Sequence, residues 1–243
     1  MTSLATRQMI SITSSETTSE CNSLETDLRR QLVRYGRWAY RLGYTPGTAG
    51  NLSVRLDRDL ILATPTGCSK GLLRSSDMVI VDLDGRQLSG HRAVTSEIGM
   101  HLTVYRMRSD VEAIIHTHPP IATAFAACGK SLDEPICSEI IMTTGPVPLA
   151  PYATTGTEEV GQSLRPYIPN HDAILLANHG LLTYGTSLAH AFMKTETVEH
   201  FAYVCLTAHQ LGGARHLSES EVGRLRESKM SYLRNASLGP RVA

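Results

Sequence analysis

His116-Thr117-His118, with His179 further along between Asn178 and Gly180, are the residues whose types and spacing could do chemistry. The run Val111-Glu112-Ala113-Ile114-Ile115 that leads into the pair is short, apolar and β-branched, which predicts a buried strand. Residues i and i+2 of a strand face the same way, so His116 and His118 can reach one ion. With His179 they supply three neutral nitrogen donors, and three such donors leave one position open on a tetrahedral metal. That is the arrangement of a catalytic site. The same pair, ahead of Pro119-Pro120, also reads as histidines bonded to nearby carbonyls, and His179 before Gly180 as a turn residue.

Two glycine turns and one helix start point to anion chemistry. Gly47-Thr48-Ala49-Gly50-Asn51 and Thr64-Pro65-Thr66-Gly67 expose backbone N–H groups and hydroxyls that can form a nest for a phosphate, or simply reverse the chain. Thr95-Ser96-Glu97 precedes a helical run of Ile98, Leu102 and Tyr105, where orphan N–H groups and the positive end of the helix dipole point outward. Neither hydroxyl residue has Glu or Gln three positions on, so no capping box accounts for them and Glu97 is free for general acid/base work. His101, one turn after Glu97, reads as a helix-surface or packing residue. His190, His200 and His209 lack an H-E-x-x-H pattern, and Lys70 and Lys130 read as solvated charges.

The elements that must position these groups are legible in outline. Asn22 and Glu25 form a capping-box pattern ahead of Leu24, Leu28, Leu32, Tyr35, Ala39 and Leu42, so a first helix is expected from there to Gly43. Strands are expected at Leu52–Leu56, Leu60–Thr64 and Met78–Asp82, with Asp84-Gly85 as a hairpin turn. A helix from about Ser96 to Met107, the histidine strand, and a helical piece from about Ile121 follow. Strands are then expected near Ile140, at Ala173–Ala177 and at Leu181–Tyr184. Helices at Ser187–Leu211 and Ser218–Leu233 close the chain, the last opening on a Ser218/Glu221 capping box. Residues 1–21, rich in Ser and Thr, read as a flexible tail, and residues 22–243 as one domain.

Composition excludes several classes. The 23 basic and 23 acidic residues cancel, and no Lys/Arg run breaks the balance, which argues against nucleic acid or an anionic membrane as the partner. No stretch is apolar for long enough to span a bilayer. Cys21, Cys68, Cys128, Cys137 and Cys205 show no regular spacing and read as reduced thiols of a cytoplasmic protein.

Taken in order, the segments Gly47 to Arg55, Thr64 to Gly67, Ser96-Glu97, His116 to His118, Ala150 to Thr154 and His179-Gly180 resemble the class II aldolase/adducin family, most closely its fuculose-phosphate aldolase branch. The resemblance runs from about Leu24 to Leu233. It implies a three-layer αβα fold with a central, largely antiparallel sheet, and a homotetramer with active sites between subunits. It implies zinc, with manganese or cobalt as alternatives, on His116, His118 and His179. By the same likeness Asn51, Thr66, Gly67, Thr95 and Ser96 hold a substrate phosphate, Glu97 transfers the proton, and Tyr232 resembles a mobile catalytic tyrosine. The implied reaction cleaves a ketose 1-phosphate, such as L-fuculose 1-phosphate or a 5-deoxypentulose 1-phosphate, to dihydroxyacetone phosphate and an aldehyde. Decarboxylation of a phosphorylated keto acid, dehydration of methylthioribulose 1-phosphate, 4-epimerisation, or a non-catalytic adducin-like scaffold are the alternatives. Epimerases of the family typically carry Asp at position 97, which favours the aldolase branch. One departure stands out: the segment Pro135-Ile136-Cys137-Ser138-Glu139 lacks the tyrosine that the branch carries after the histidine pair.

Overall fold

The computed structural model describes the backbone of residues 14–237 and the side chains of residues 23–231. The first helix, α1, runs Ser14–Arg41. It begins ahead of the expected Asn22 start, because Ser14–Cys21 holds no Gly or Pro to break it. Residues 1–13 of the expected tail and the Asn22 side chain lie outside the described residues. The helix ends as expected at Gly43, whose φ of 77° is in the left-handed region. There the Tyr44 N–H reaches back to the Ala39 carbonyl at 2.9 Å.

Four strands follow, β1 (Asn51–Asp57), β2 (Leu60–Ala63), β3 (Val79–Asp82) and β4 (Gln87–Ser89), the last two joined at the Asp84-Gly85 turn. Then come α2 (Ile98–Met107), β5 (Ala113–Thr117), α3 (Pro120–Ala127), α4 (Ser138–Met142), β6 (Leu149–Ala150) and α5 (Glu158–Leu164). The chain closes with β7 (Ala173–Leu176), β8 (Gly180–Gly185), α6 (Leu188–Gln210) and α7 (Glu219–Ser237). The strand expected near Ile140 is the short helix α4 instead. Ile140 and Ile141 pack successively against a satellite core and leave no alternating face for a sheet. At the last helix the capping box holds: Ser218 N–H donates to Glu221 Oε2 at 2.7 Å, and Glu221 N–H to Ser218 Oγ at 3.3 Å.

Among the described residues the strands form one sheet in the order β4-β3-β2-β1-β5-β8-β7-β6. Every neighbouring pair is antiparallel except β6–β7. Helices cover both faces, completing the three layers. Period-two alternation divides the core: Ile114 packs with Met100, Val104 and Val160 on the α2/α5 side, while Ala113 and Ile115 pack with Leu32, Ala39 and Phe192 on the α1/α6 side. Burying each of the larger apolar side chains, such as Ile114, Ile115, Leu32 and Phe192, contributes roughly 1.5–3 kcal/mol. No described helix is long and apolar enough to cross a membrane.

This topology brings the chemistry to one sheet edge. Antiparallel pairing sets the end of β5 beside the beginnings of β1 and β8, with Asn51 opposite His116 and Leu182 on its other side. The exits of β2, β6 and β7 lie at the same edge, since Ala63 pairs near Ser53, and Ala150 and Gly180 both pair with Leu176. The loops after β2, β5, β6 and β7, and the turn before β1, therefore meet.

Candidate metal centre and anion pocket

His116 is fully buried next to the end of the central strand β5. Its Nδ1 lies 3.0 Å from the Leu181 carbonyl, which can only accept, so the ring hydrogen sits on Nδ1 and Nε2 presents its lone pair. His118 follows on the same face as the strand ends. Its backbone N–H donates to the Tyr44 carbonyl at 2.7 Å. Immediately after it, the Glu199 carboxylate on α6 accepts the N–H groups of Ile121 at 2.9 Å and Ala122 at 2.8 Å, anchoring the start of α3. His179 enters from the turn between β7 and β8. That turn needs Asn178 at φ 55°, a conformation Asn adopts more readily than most residues with a side chain.

The three imidazoles converge. His116 Nε2 lies 3.0 Å from His118 Nε2 and 3.2 Å from His179 Nε2, and the ligand atoms of all three lie within 4.8 Å of one another. Burial pushes the His116 ring well below the usual histidine range and lowers His118 in the same direction. His116 Nε2 thus presents a lone pair to the two neighbouring ring nitrogens, and a cation among the three can take the lone pairs of all of them. Glu97, at the N-terminal cap of α2, supplies the complementary charge: Oε1 lies 3.2 Å from His179 Nε2 and Oε2 3.5 Å from His116 Nε2. Oε1 is buried and makes no hydrogen bond. Burial alone would raise the Glu97 carboxyl, but the interactions with His179 and His116 and the Asn51 hydrogen bond outweigh it and hold the group well below the usual carboxylate range. Three imidazole nitrogens and one carboxylate oxygen without a partner fit a divalent ion of the zinc type.

Gly180 allows this packing. A Cβ there would stand 2.6 Å from His118 Cδ2 and 2.6 Å from the Thr117 carbonyl oxygen. Gly180→Ala is expected to push the His118 ring aside and weaken divalent-ion affinity by about 10- to 100-fold, the usual effect of disturbing the groups that orient a ligand, read by competition with a chromogenic chelator. Wild-type affinity in the variant would contradict the placement.

A pocket of about 460 Å³ opens beside the histidines, walled by Thr48, Asn51, Thr66, Gly67, Thr95 and Ser96, with Glu97, His118 and His179 at one end. Asn51, Thr66, Gly67, Thr95 and Ser96, expected from the resemblance to hold a phosphate, thus line one cavity. Thr66 N–H bonds to the Ala93 carbonyl at 3.0 Å and Thr95 N–H to the Thr64 carbonyl at 3.3 Å, clamping the β2 exit loop to the segment before α2. The Thr95 hydroxyl accepts the Glu97 N–H at 3.4 Å. Asn51 stands on the wall, but its amide donates to Glu97 Oε2 at 2.8 Å and its carbonyl meets His101 Nε2 at 2.6 Å. Tyr232 is on α7, and its side chain lies outside the described residues. The wall holds no residue from Pro135–Glu139.

Sequence reasoning missed two members. Lys70, expected as a solvated charge, is 1% exposed. Its ammonium donates to the carbonyls of Cys68 at 2.7 Å and Thr48 at 3.1 Å, bridging the two glycine turns, and it lines the pocket. Burial lowers its pKa to about 8, partly offset by the nearby Glu97 carboxylate. The only signal in the sequence was its position shortly after Thr66-Gly67. His101, expected on a helix surface or in packing, is fully buried and bonded to Asn51 and Ser53. Thr155 and Gly156, on the loop after β6, complete the wall.

Comparison with known proteins agrees with this geometry. The family described as Class II Aldolase and Adducin N-terminal domain matches residues 30–206. A 5-deoxy-D-ribulose 1-phosphate aldolase from Bacillus thuringiensis serovar kurstaki is 34% identical over 206 residues, covering 84% of this chain and 96% of that protein. A 3-oxo-tetronate 4-phosphate decarboxylase from Haemophilus influenzae is 36% identical over 204 residues, covering 81% and 96%. A solved L-fuculose 1-phosphate aldolase superposes with a TM-score of 0.78 at 35% identity, over 83% of this chain and 95% of that one. With the ordered motifs, the fold and the converging histidines in agreement, the chain belongs to the class II aldolase and adducin family.

Proposed function

We propose that the protein is a divalent-metal-dependent lyase that cleaves a ketose 1-phosphate, of the L-fuculose or 5-deoxypentulose type, to dihydroxyacetone phosphate and an aldehyde. The observation that carries this is the convergence of three imidazole nitrogens and the Glu97 carboxylate at one end of a pocket lined with hydroxyls and a buried ammonium. An ion held by His116, His118 and His179, most naturally zinc, with manganese or cobalt also suited to this donor set, supplies Lewis-acid stabilisation of the negative charge that develops on the substrate oxygens. Thr66, Gly67, Thr95, Ser96 and Asn51 line the part of the pocket where a phosphate fits. In the cleavage the Glu97 carboxylate takes the C4 hydroxyl proton, the C3–C4 electron pair stays on C3 as C4 becomes the aldehyde carbon, and Glu97 then delivers that proton to C3. No lysine Schiff base is needed. Family likeness extends the proposal to a cytoplasmic homotetramer with sites between subunits, and to Tyr232 as a mobile contributor.

Lys70 supports the phosphate end. A buried ammonium with no carboxylate of the described residues in hydrogen-bonding range is costly by itself, and a bound anion reduces that cost. Lys70→Met is expected to raise KM, and to weaken competitive inhibition by inorganic phosphate, by roughly 10- to 100-fold, the equivalent of a charged hydrogen bond of about 1.5–3 kcal/mol. Steady-state kinetics with phosphate as inhibitor reads this, and an unchanged inhibition constant would rule Lys70 out.

The relative of comparable identity named as a 3-oxo-tetronate 4-phosphate decarboxylase favours one second reading. Loss of carbon dioxide from that keto acid also leaves a carbanion next to a carbonyl, and Glu97, having taken a proton from solvent, would protonate it. Both reactions yield dihydroxyacetone phosphate, so the coproduct decides. Incubation with L-fuculose 1-phosphate, 5-deoxyribulose 1-phosphate and 3-oxo-tetronate 4-phosphate, with aldehyde and carbon dioxide both measured, tests the proposal. Aldehyde release supports the aldolase, and carbon dioxide alone assigns the decarboxylase.

A further inference from the structure

A line of polar side chains leads from Glu97 into the apolar core. Glu97, His101 and Tyr105 are spaced four apart along α2 and its cap, and Asn51 and Ser53 are two apart on β1, so each set shares a face. They meet across an interface otherwise built from residues such as Met100, Val104 and Ile114. His101 and Ser53 are fully buried and Tyr105 is 2% exposed. Burying so many polar groups stabilises nothing that apolar side chains of equal volume would not, unless every hydrogen bond is made and the line has a further use.

The hydrogens in this line can be assigned one after another. Asn51 Nδ2 donates to Glu97 Oε2 at 2.8 Å. The other end of that amide is an acceptor only, so His101 Nε2, at 2.6 Å, carries a hydrogen. His101 Nδ1 then has a lone pair, and Ser53 Oγ at 2.7 Å must donate to it. With its hydrogen so directed, Ser53 accepts from the Tyr105 hydroxyl at 2.9 Å. Burial lowers the His101 pKa to about 4, consistent with a neutral ring holding one hydrogen. Every donor points toward Glu97.

We propose that His101 is a positioning residue: held as the Nε2–H tautomer by Ser53 and Tyr105, it fixes the Asn51 amide and thereby holds the Glu97 carboxylate with Oε1 on His179 and Oε2 toward His116. This rests on the reading of Glu97 as the proton-transfer group. Were the amide free to turn, its oxygen would face the carboxylate and repel it, and Glu97 would swing away from the substrate carbon. Such a turn leaves the ion and the Thr66, Gly67, Thr95 and Ser96 part of the phosphate cradle in place, so its effect falls mainly on turnover.

Nitrogen-15 NMR of the zinc-loaded protein tests the tautomer directly: the Nε2–H form of His101 is expected, and an Nδ1–H form overturns the proposal. In kinetics, His101→Leu is expected to lower kcat by about 10- to 100-fold, the usual effect of losing an outer-shell partner, with KM and zinc content near wild type. His101→Gln, whose amide nitrogen stands where Nε2 was, should restore most of that loss, which a purely structural defect would not allow. Should His101→Leu fail to fold, the tautomer in the unaltered protein decides. An inert wild-type protein overturns the functional reading; an active wild type beside an unimpaired His101→Leu variant overturns this inference alone.

Discussion

Replacing His116 with alanine is expected to give a folded protein that no longer holds a divalent ion and no longer cleaves sugar phosphate at a measurable rate. His116 is the middle of the triad, 3.0 Å from His118 Nε2 and 3.2 Å from His179 Nε2, and its ring is fixed by the Leu181 carbonyl. Two imidazoles separated by the resulting gap make a weak site. The loss of Lewis-acid stabilisation is worth several kcal/mol in the transition state, and each 1.36 kcal/mol is about tenfold in rate. The core suffers as well, since the ring is fully buried, so melting should be lowered by an amount typical of a large-to-small core change, about 2–5 kcal/mol. Elemental analysis of the dialysed variant checks the first effect and thermal unfolding the second. A variant that kept one ion per chain would mean that the triad is not the metal centre.

Glu97→Gln separates metal binding from proton transfer. Glutamine matches the carboxylate in shape and can still accept from Asn51 Nδ2, so the histidine cluster, the pocket and the amide at 2.8 Å are retained. What disappears is the charge, and with it the group that can give a proton to the carbon. The ion should remain, because three imidazoles suffice to hold it. Turnover is expected to fall by about 10²- to 10⁴-fold, the range for a positioned acid or base, with KM little changed. Single-turnover kinetics on the zinc-loaded variant reads the chemical step by itself. Full turnover would remove Glu97 from the mechanism and leave the proton to solvent.

How far the site was legible follows from the range of each signal. The His116/His118 pair could be read because strand alternation is local and periodic, and β5 realises it. The Ser218 cap and the Gly43 stop were legible because capping is a property of a few consecutive residues. Local patterns misled where they were short: Ile140-Ile141-Met142 has too few residues to distinguish a strand from one helical turn. The capping-box pattern at Asn22 and Glu25 fell inside a longer helix, since a cap residue does not stop a helix that has begun earlier. Strand order is a global outcome of packing, so no local pattern announced that five connecting segments meet at one edge, and only the likeness to a family brought their residues into one site. Lys70 and His101 were missed for the same reason. Their partners are carbonyls and amides on other elements, Thr48 for the lysine, Asn51 and Ser53 for the histidine, and burial of a charged or titratable side chain is visible only once those elements are in place.

The most direct test of metal-dependent cleavage is release of dihydroxyacetone phosphate and aldehyde from a 5-deoxypentulose 1-phosphate or L-fuculose 1-phosphate, measured on zinc-loaded, chelator-stripped and zinc-restored protein. Cleavage by the loaded protein, its loss on stripping and its return with about one zinc per chain is the expected result. Undiminished cleavage by protein that elemental analysis finds free of metal, or no cleavage of either sugar phosphate by fully loaded protein, would contradict it.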